Sequence, residues 1–478
     1  MKILHATAEY FPYIKMGGLS DMLSSFSKEQ AKKHEVGVCL PLIAGIRGNP
    51  QFTGRTFPAI SPKLAAIGEK PVTKILSESR FLEANYGHVK LYFFESPIFS
   101  ELQSIYQNSD EHFRFAVYAY AVFSLSIELN VDIFHAHDWH TALSCTLHKV
   151  SPFGKPTIFT IHNLAYQGDH PIWMTGFLRE EPFGLFPEAY LQDNKVNYMK
   201  AGLSSATQIT TVSPGYRNET LFEPNGFGLS YLLRRRESDY HGVINGIDRE
   251  EWNPKKDPNI FQSFDSESHI KGKLGNKSGL YQEIGRPLID TNRPLVGIIG
   301  RLTFQKGYAN FINAFKERFH LPHFYIFLGA GDEDLQNELF HLSHTDQNRI
   351  FFYKGYSEEF ARKVEAASDF FLMPSLFEPC GLNQLYSHAY GAIPIVSRVG
   401  GLRDTVSESP IDGEQTGIVF EPNDVSSLGY ALERANTLFH DKDKFHNTRK
   451  RIMKLDWSWE KRVVEYESIY EIAVMRKE

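Results

Sequence analysis

Two segments in the second half of this chain put cations and a carboxylate where a phosphorylated sugar would need them. Arg301 and Lys306 lie in GRLTFQKG, directly after the apolar run VGII. Two cations five residues apart on one loop can hold a diphosphate and offset the charge that collects on it as it departs. The same residues also read as a solvated turn with surface charges. In MPSLFEPCGLNQLY, Glu378 follows another apolar run, beside a turn at Cys380, Gly381 and Leu382 that opens a helix. A carboxylate there can accept from sugar hydroxyls while backbone amides meet phosphate, and a buried acidic group seldom lacks a reason.

The first half offers a weaker counterpart in EYFPYIKMGGLSD, where Lys15, Gly17 and Gly18 precede a helix. Glycines let a backbone approach phosphate, and a helix N-terminus favours negative charge. An ordinary tight turn uses the same residues. The spacing is not GxGxxG, which counts against a dehydrogenase. Farther on, VDIFHAHDWH sets His135, His137, Asp138, Trp139 and His140 at a strand end, and two readings stay open. An HxH pair binds metal in some hydrolases, but that needs ligands on other strands, and the sequence shows no second cluster with ligand spacing. Alternatively, Asp138 accepts from sugar hydroxyls and Trp139 packs against a ring face. FTIHNLAYQG repeats the design with His162, which either satisfies a core group or stands at a site.

These residues need a scaffold that presents strand ends. Short β-rich runs at 2–7, 133–137, 157–161 and 208–212 alternate with longer helical patterns, and the alternation restarts after VINGIDREEWNPKKDPN with runs at 295–299, 324–328, 350–353, 370–373 and 393–397. That is the signature of parallel βα units. The expected fold is α/β: two doubly wound Rossmann-like domains, 1–246 and 247–458, facing across a cleft, with 459–478 as a helix packing back towards the first. Ligands in such folds bind beyond the carboxyl ends of strands. The acidic segment after Leu328, GAGDED, would repel phosphate and reads as a turn.

At 478 residues, the chain is long enough for two domains with sizeable cores, and a net charge of -6 disfavours nucleic acid as the main partner. Three scattered cysteines suggest a reducing compartment without disulfides. The apolar run 115–127 is too short for a bilayer, and the N-terminus lacks a signal-peptide core, so no membrane partner and a cytoplasmic location are expected.

Taken together, KMGGLSD, HAHDWHTAL, FTIHNLAYQG, TVSPGY, GVINGIDREEWNP, GRLTFQKG, FEPCGLNQLYSHAYG and VGGLRDTV resemble, in order and across nearly the whole chain, the glycogen and starch synthases of bacteria and plastids. These are retaining glycosyltransferases of GT-B architecture. The resemblance implies glucosyl transfer from ADP-glucose, or UDP-glucose, to the non-reducing end of an α-1,4-glucan, with no cofactor and no metal. It also implies that Lys15 with the Gly17–Gly18 turn approaches donor phosphate, that Arg301 and Lys306 bind the diphosphate, and that Glu378 with Cys380, Gly381, Leu382 and Thr405 binds the donor. His162 and Asn245 match glucose contacts, Asp138 a contact to donor or acceptor hydroxyls, and Tyr356 an aromatic stacked on the base. Met16 stands where the family usually has threonine, and Leu376 where it often has arginine. Tyr386 takes the second place of the wider superfamily's glutamate pair, as it does in this branch. No residue is nominated as a covalent nucleophile, so front-face attack assisted by the leaving phosphate is the expected route.

Overall fold

The computed structural model describes residues 1–46, 48–62, 70–106, 109–181, 185, 187–286, 290–318, 320–408 and 415–476. It divides into two compact units, Met1–Gly246 with Trp459–Glu478, and Ile247–Ser458.

In the first unit, β1 (Lys2–Ala6), β2 (Glu35–Pro41), β3 (Gln51–Pro58), β4 (Arg80–Tyr86), β5 (Val89–Glu95), β6 (Ile133–His137) and β7 (Thr157–Ile161) join two later strands in one sheet. Between them lies a small separate sheet of β8 (Asp169–Pro171), β9 (Leu191–Gln192) and β10 (Lys195–Asn197). With β11 (Gln208–Thr211) and β12 (Tyr240–Gly242), the large sheet runs β12-β11-β7-β6-β1-β2-β5-β4-β3 among the described residues. Every pair from β12 to β5 is parallel, and only the β5-β4-β3 edge is antiparallel. Chain order reverses between β1 and β6, which makes that seam the topological switch point.

The helix Glu111–Glu128 carries the apolar run noted above, and its residues Arg114–Ile127 are all buried, so the run serves this unit's core. No helix among the described residues is long and apolar enough to cross a membrane. The helix Trp459–Met475 lies against the helix Gly18–Gln30, with Phe26 meeting Trp459 and Tyr466 at ring distances of 4.8 and 4.5 Å. Trp459 Nε1 donates to Ser25 Oγ at 2.7 Å.

The second unit is built on β13 (Leu295–Ile299), β14 (Phe324–Gly329), β15 (Ile350–Lys354), β16 (Phe370–Met373), β17 (Ile393–Ser397) and β18 (Ile418–Phe420). The sheet is parallel, in the order β15-β14-β13-β16-β17-β18, so its switch point lies between β13 and β16. The acidic turn after β14 caps a helix: Asp332 accepts from the Leu335 amide, where a side-chain acceptor satisfies an orphan N–H.

Candidate active site

Each switch point is flanked by residues that the sequence singled out. In the second unit, the loop after β13 carries Arg301 and Lys306, and the loop after its neighbour β16 carries Glu378. The two loops are stitched together: Leu376 N donates to Gln305 O at 2.8 Å, and Gln305 Nε2 to Phe377 O at 3.2 Å. Lys306 Nζ then lies 2.6 Å from Glu378 Oε2, and Ser375 Oγ donates to the same oxygen at 2.9 Å. Glu378 is 6% exposed, a buried carboxylate held by a cation and a hydroxyl. Arg301 is exposed at the head of its loop.

Glycines make this approach possible. Gly307 has φ 66°, and a Cβ there would sit 1.9 Å from Pro374 O. Gly400 and Gly401 start a helix directly against the Glu378 turn: a Cβ on Gly400 would lie 2.0 Å from Glu378 O, and one on Gly401 2.3 Å from Cys380 O. Gly381, at φ 74°, completes the turn into the helix Asn383–Tyr390.

Other residues named from sequence fall less directly. Thr405 points inward, where its hydroxyl donates to Gly401 O and accepts from Gln384 Nε2, so it braces the turn with its side chain. Cys380 is buried, while Leu382 packs with Ile247 and Tyr386. Tyr386 stacks on Trp252, with ring centroids 3.5 Å apart and planes at 10°. Tyr356 is 55% exposed beyond β15.

In the first unit, the turn expected to receive phosphate holds an anion of the protein's own. The amides of Met16 and Gly17 donate to Glu9 Oε2 at 2.9 and 2.8 Å, and Lys15 pairs with Asp21 at 2.9 Å. Sequence reasoning missed Glu9, although it opens the same motif. Among the described residues a Cβ on Gly17 would meet nothing within 4 Å, so their packing does not explain that glycine.

Across the β1–β6 seam, Asp138 adopts φ 55°, a strained value for a residue with a side chain. Its Oδ1 accepts from the His162 amide at 2.8 Å. Burial pushes its pKa up to about 7. Trp139 corrects the expectation of a sugar platform: it is 7% exposed, wedged beneath Gly168 and edge-on to Phe115.

His135 and His137 are likewise fully buried beneath the strand end, not lining it. They join His5 of β1, which the sequence pattern had not linked to them, in a cluster of possible metal-ligand geometry. Every ring nitrogen in it already has a partner. His5 bonds Gln30 Oε1 at 2.8 Å and His137 Nε2 at 3.0 Å; His137 Nδ1 bonds His162 Nε2 at 3.0 Å. His135 bonds Tyr470 OH at 2.9 Å and Thr160 Oγ1 at 2.6 Å. A metal would have to displace these bonds. Burial lowers the pKa of His5 to about 4 and of His162 to about 3, so both are neutral near pH 7. Asn245 is buried, and its Oδ1 has no hydrogen-bond partner among the described residues.

Comparison with known proteins fits this arrangement. Residues 2–235 match the family described as starch synthase catalytic domain, and residues 282–454 the family described as glycosyl transferases group 1. The structure resembles the catalytic domain of starch synthase IV from Arabidopsis thaliana, solved with ADP and acarbose, at a TM-score of 0.88 and 28% identity over 99% of both chains. Fold and strand-end residues thus define a glycosyltransferase of the GT-B class. A glycogen synthase of Leptospira biflexa is 60% identical over 99% of both chains, and one of Bacillus subtilis 35% identical over 98% of both. The chain belongs to the glycogen and starch synthase family.

Proposed function

We propose that this protein transfers glucose from ADP-glucose to the non-reducing end of an α-1,4-glucan with retained configuration. The carrying observation is the Lys306–Glu378 pair at the switch point of the second unit. The assignment of ADP as the carrier is supported by the starch synthase IV likeness, since that protein was solved with ADP.

In this reading Arg301 and Lys306 take the diphosphate, and Glu378 with the Cys380–Gly381–Leu382 turn orients the glucose. Tyr356 stacks on the base, and Thr405 keeps the turn in place. Within the first unit the candidate ligand contacts are Lys15, the Gly17–Gly18 backbone, Asp138, His162 and Asn245, whose buried Oδ1 has no partner among the described residues and would be satisfied by a sugar hydroxyl. Glu9 would yield its amides to phosphate.

Cations in the chain meet the leaving charge, so no metal is needed for that purpose. The bond from glucose C1 to the phosphate oxygen breaks as the acceptor hydroxyl attacks the same face, and its proton passes to the departing phosphate. The cytoplasm suits the three cysteines, all buried and none in a disulfide among the described residues.

Glucose incorporation into glycogen from ADP-glucose and UDP-glucose, measured side by side with and without EDTA, tests the reading. Strong transfer from ADP-glucose, kept in EDTA and lost in Glu378→Ala, is expected. Preference for UDP-glucose would overturn the donor, and EDTA sensitivity the metal-free mechanism. A covalent glucosyl-enzyme trapped in Glu378→Gln would overturn the front-face route.

A further inference from the structure

Hydrogen bonds between neutral imidazoles have a direction, because each ring carries one proton and one lone pair. The buried row that ends at His162 has a single group whose polarity sets that direction. Gln30, on the helix Gly18–Gln30, presents its carbonyl oxygen to His5 and its amide nitrogen to the Tyr470 hydroxyl, at 2.8 Å each. A carbonyl oxygen only accepts, so His5 carries its proton on Nε2.

The consequence propagates without a break. His5 Nδ1 is then a lone pair, and it accepts from His137 Nε2. His137 Nδ1 is bare in turn and accepts from His162 Nε2. His162 is left with an unprotonated Nδ1, which has no partner among the described residues. The second branch obeys the same rule: Tyr470 receives from Gln30 and donates to His135 Nδ1, whose Nε2 proton goes to Thr160. Every link thus holds one proton. Reversing the Gln30 amide would reverse them all.

We propose that Gln30 is a positioning residue for the transfer reaction: acting through His5 and His137, it fixes His162 as the Nε2–H tautomer, so that Nδ1 is a hydrogen-bond acceptor for a substrate hydroxyl. The inference rests on the reading of His162 as a sugar contact. Burial supports it, because His5 and His137 are fully enclosed and hold their protons away from solvent exchange. Partial loss of the correct tautomer reduces the competent population in proportion, about twofold for an even split.

Selective histidine nitrogen labelling of the full chain, with long-range proton–nitrogen correlation and assignment by His162→Asn, reads the tautomer in the absence of substrate. The expected result is Nε2–H at His162 in the parent chain. In Gln30→Met and in His5→Phe the signal should become a mixture of tautomers, with donor kcat/KM reduced about twofold or more. Two outcomes overturn the proposal: an Nδ1–H tautomer at His162 in the parent chain, or an unchanged Nε2–H tautomer in both variants. If neither variant folds, the parent spectrum alone decides. Failure of the synthase reading shows separately, as absent glucose incorporation with the tautomer intact.

Discussion

Lys306 Nζ and Glu378 Oε2 are 2.6 Å apart, brought together by loops that leave adjacent parallel strands in the second unit. The pair satisfies a buried carboxylate and orients a cation whose ammonium has further donors for a phosphate.

Lys306→Met should therefore lower transfer by roughly 10²–10³, the loss seen when one preorganised electrostatic donor is removed. Its thermal midpoint should fall modestly, because Ser375 Oγ still donates to Glu378. Activity within a few fold of the parent chain would show that Lys306 only neutralises Glu378.

Two glycines separate steric need from ligand need. Gly307→Ala forces a left-handed residue against Pro374 O and should cost about 1–3 kcal/mol or more in stability. Gly17→Ala meets nothing within 4 Å among the described residues, at an extended φ of -155°, and should leave the melting temperature nearly unchanged. If the turn receives phosphate as proposed, donor KM should nonetheless rise, because the methyl group would occupy the phosphate's space. Unchanged donor kinetics in Gly17→Ala would remove this turn from the site.

Much of this architecture is legible in the sequence alone. The strand–turn–helix alternation exposes both sheets, and residues that follow strands, such as Arg301, Lys306, Glu378 and Asp138, can be placed at strand ends by position. What stays hidden depends on which way a side chain turns. His5 and His137 are 132 residues apart in sequence, and only the pairing of β1 with β6 brings them and His135 together. Trp139 starts a helical turn and Thr405 ends the helix Gly400–Thr405, which rotates them inward, and residue spacing does not reveal this. Glu9 occupies the turn at Met16 and Gly17 because the chain curls back on itself between Tyr10 and Ile14.

The stack of Tyr386 on Trp252 shows why a second glutamate is not a neutral change here. Arg362 lies over the same indole at 4.3 Å, so the two aromatic rings and the guanidinium form one packed group. Tyr386→Phe keeps the ring and should preserve stability within about 1 kcal/mol. Tyr386→Glu loses the stacking, and its buried carboxylate should destabilise by about 2–5 kcal/mol. Chemical denaturation of the two variants compares them, and equal midpoints would contradict the packing role.

The histidine row makes a prediction about acid. His5 is lowered from 6.5 to about 4 by burial, so between those values the unfolded chain takes up a proton that the folded chain refuses. Its stabilising effect is complete above pH 6.5 and is lost as pH falls towards 4, with a slope of up to about 1.4 kcal/mol per pH unit. Burial lowers His135 and His137 in the same direction. Asp138 opposes them: its pKa rises from 3.8 to about 7, so the stability it contributes is present at low pH and is lost as pH rises through 7. Three buried histidines acting together outweigh one carboxylate in the shared window. The melting temperature should therefore drop on going from pH 7 to pH 5, more steeply in Asp138→Asn and less steeply in His5→Phe. Calorimetric melting of the three chains across that range is the check. Equal slopes in all three would mean that these groups titrate alike in the folded and unfolded chain.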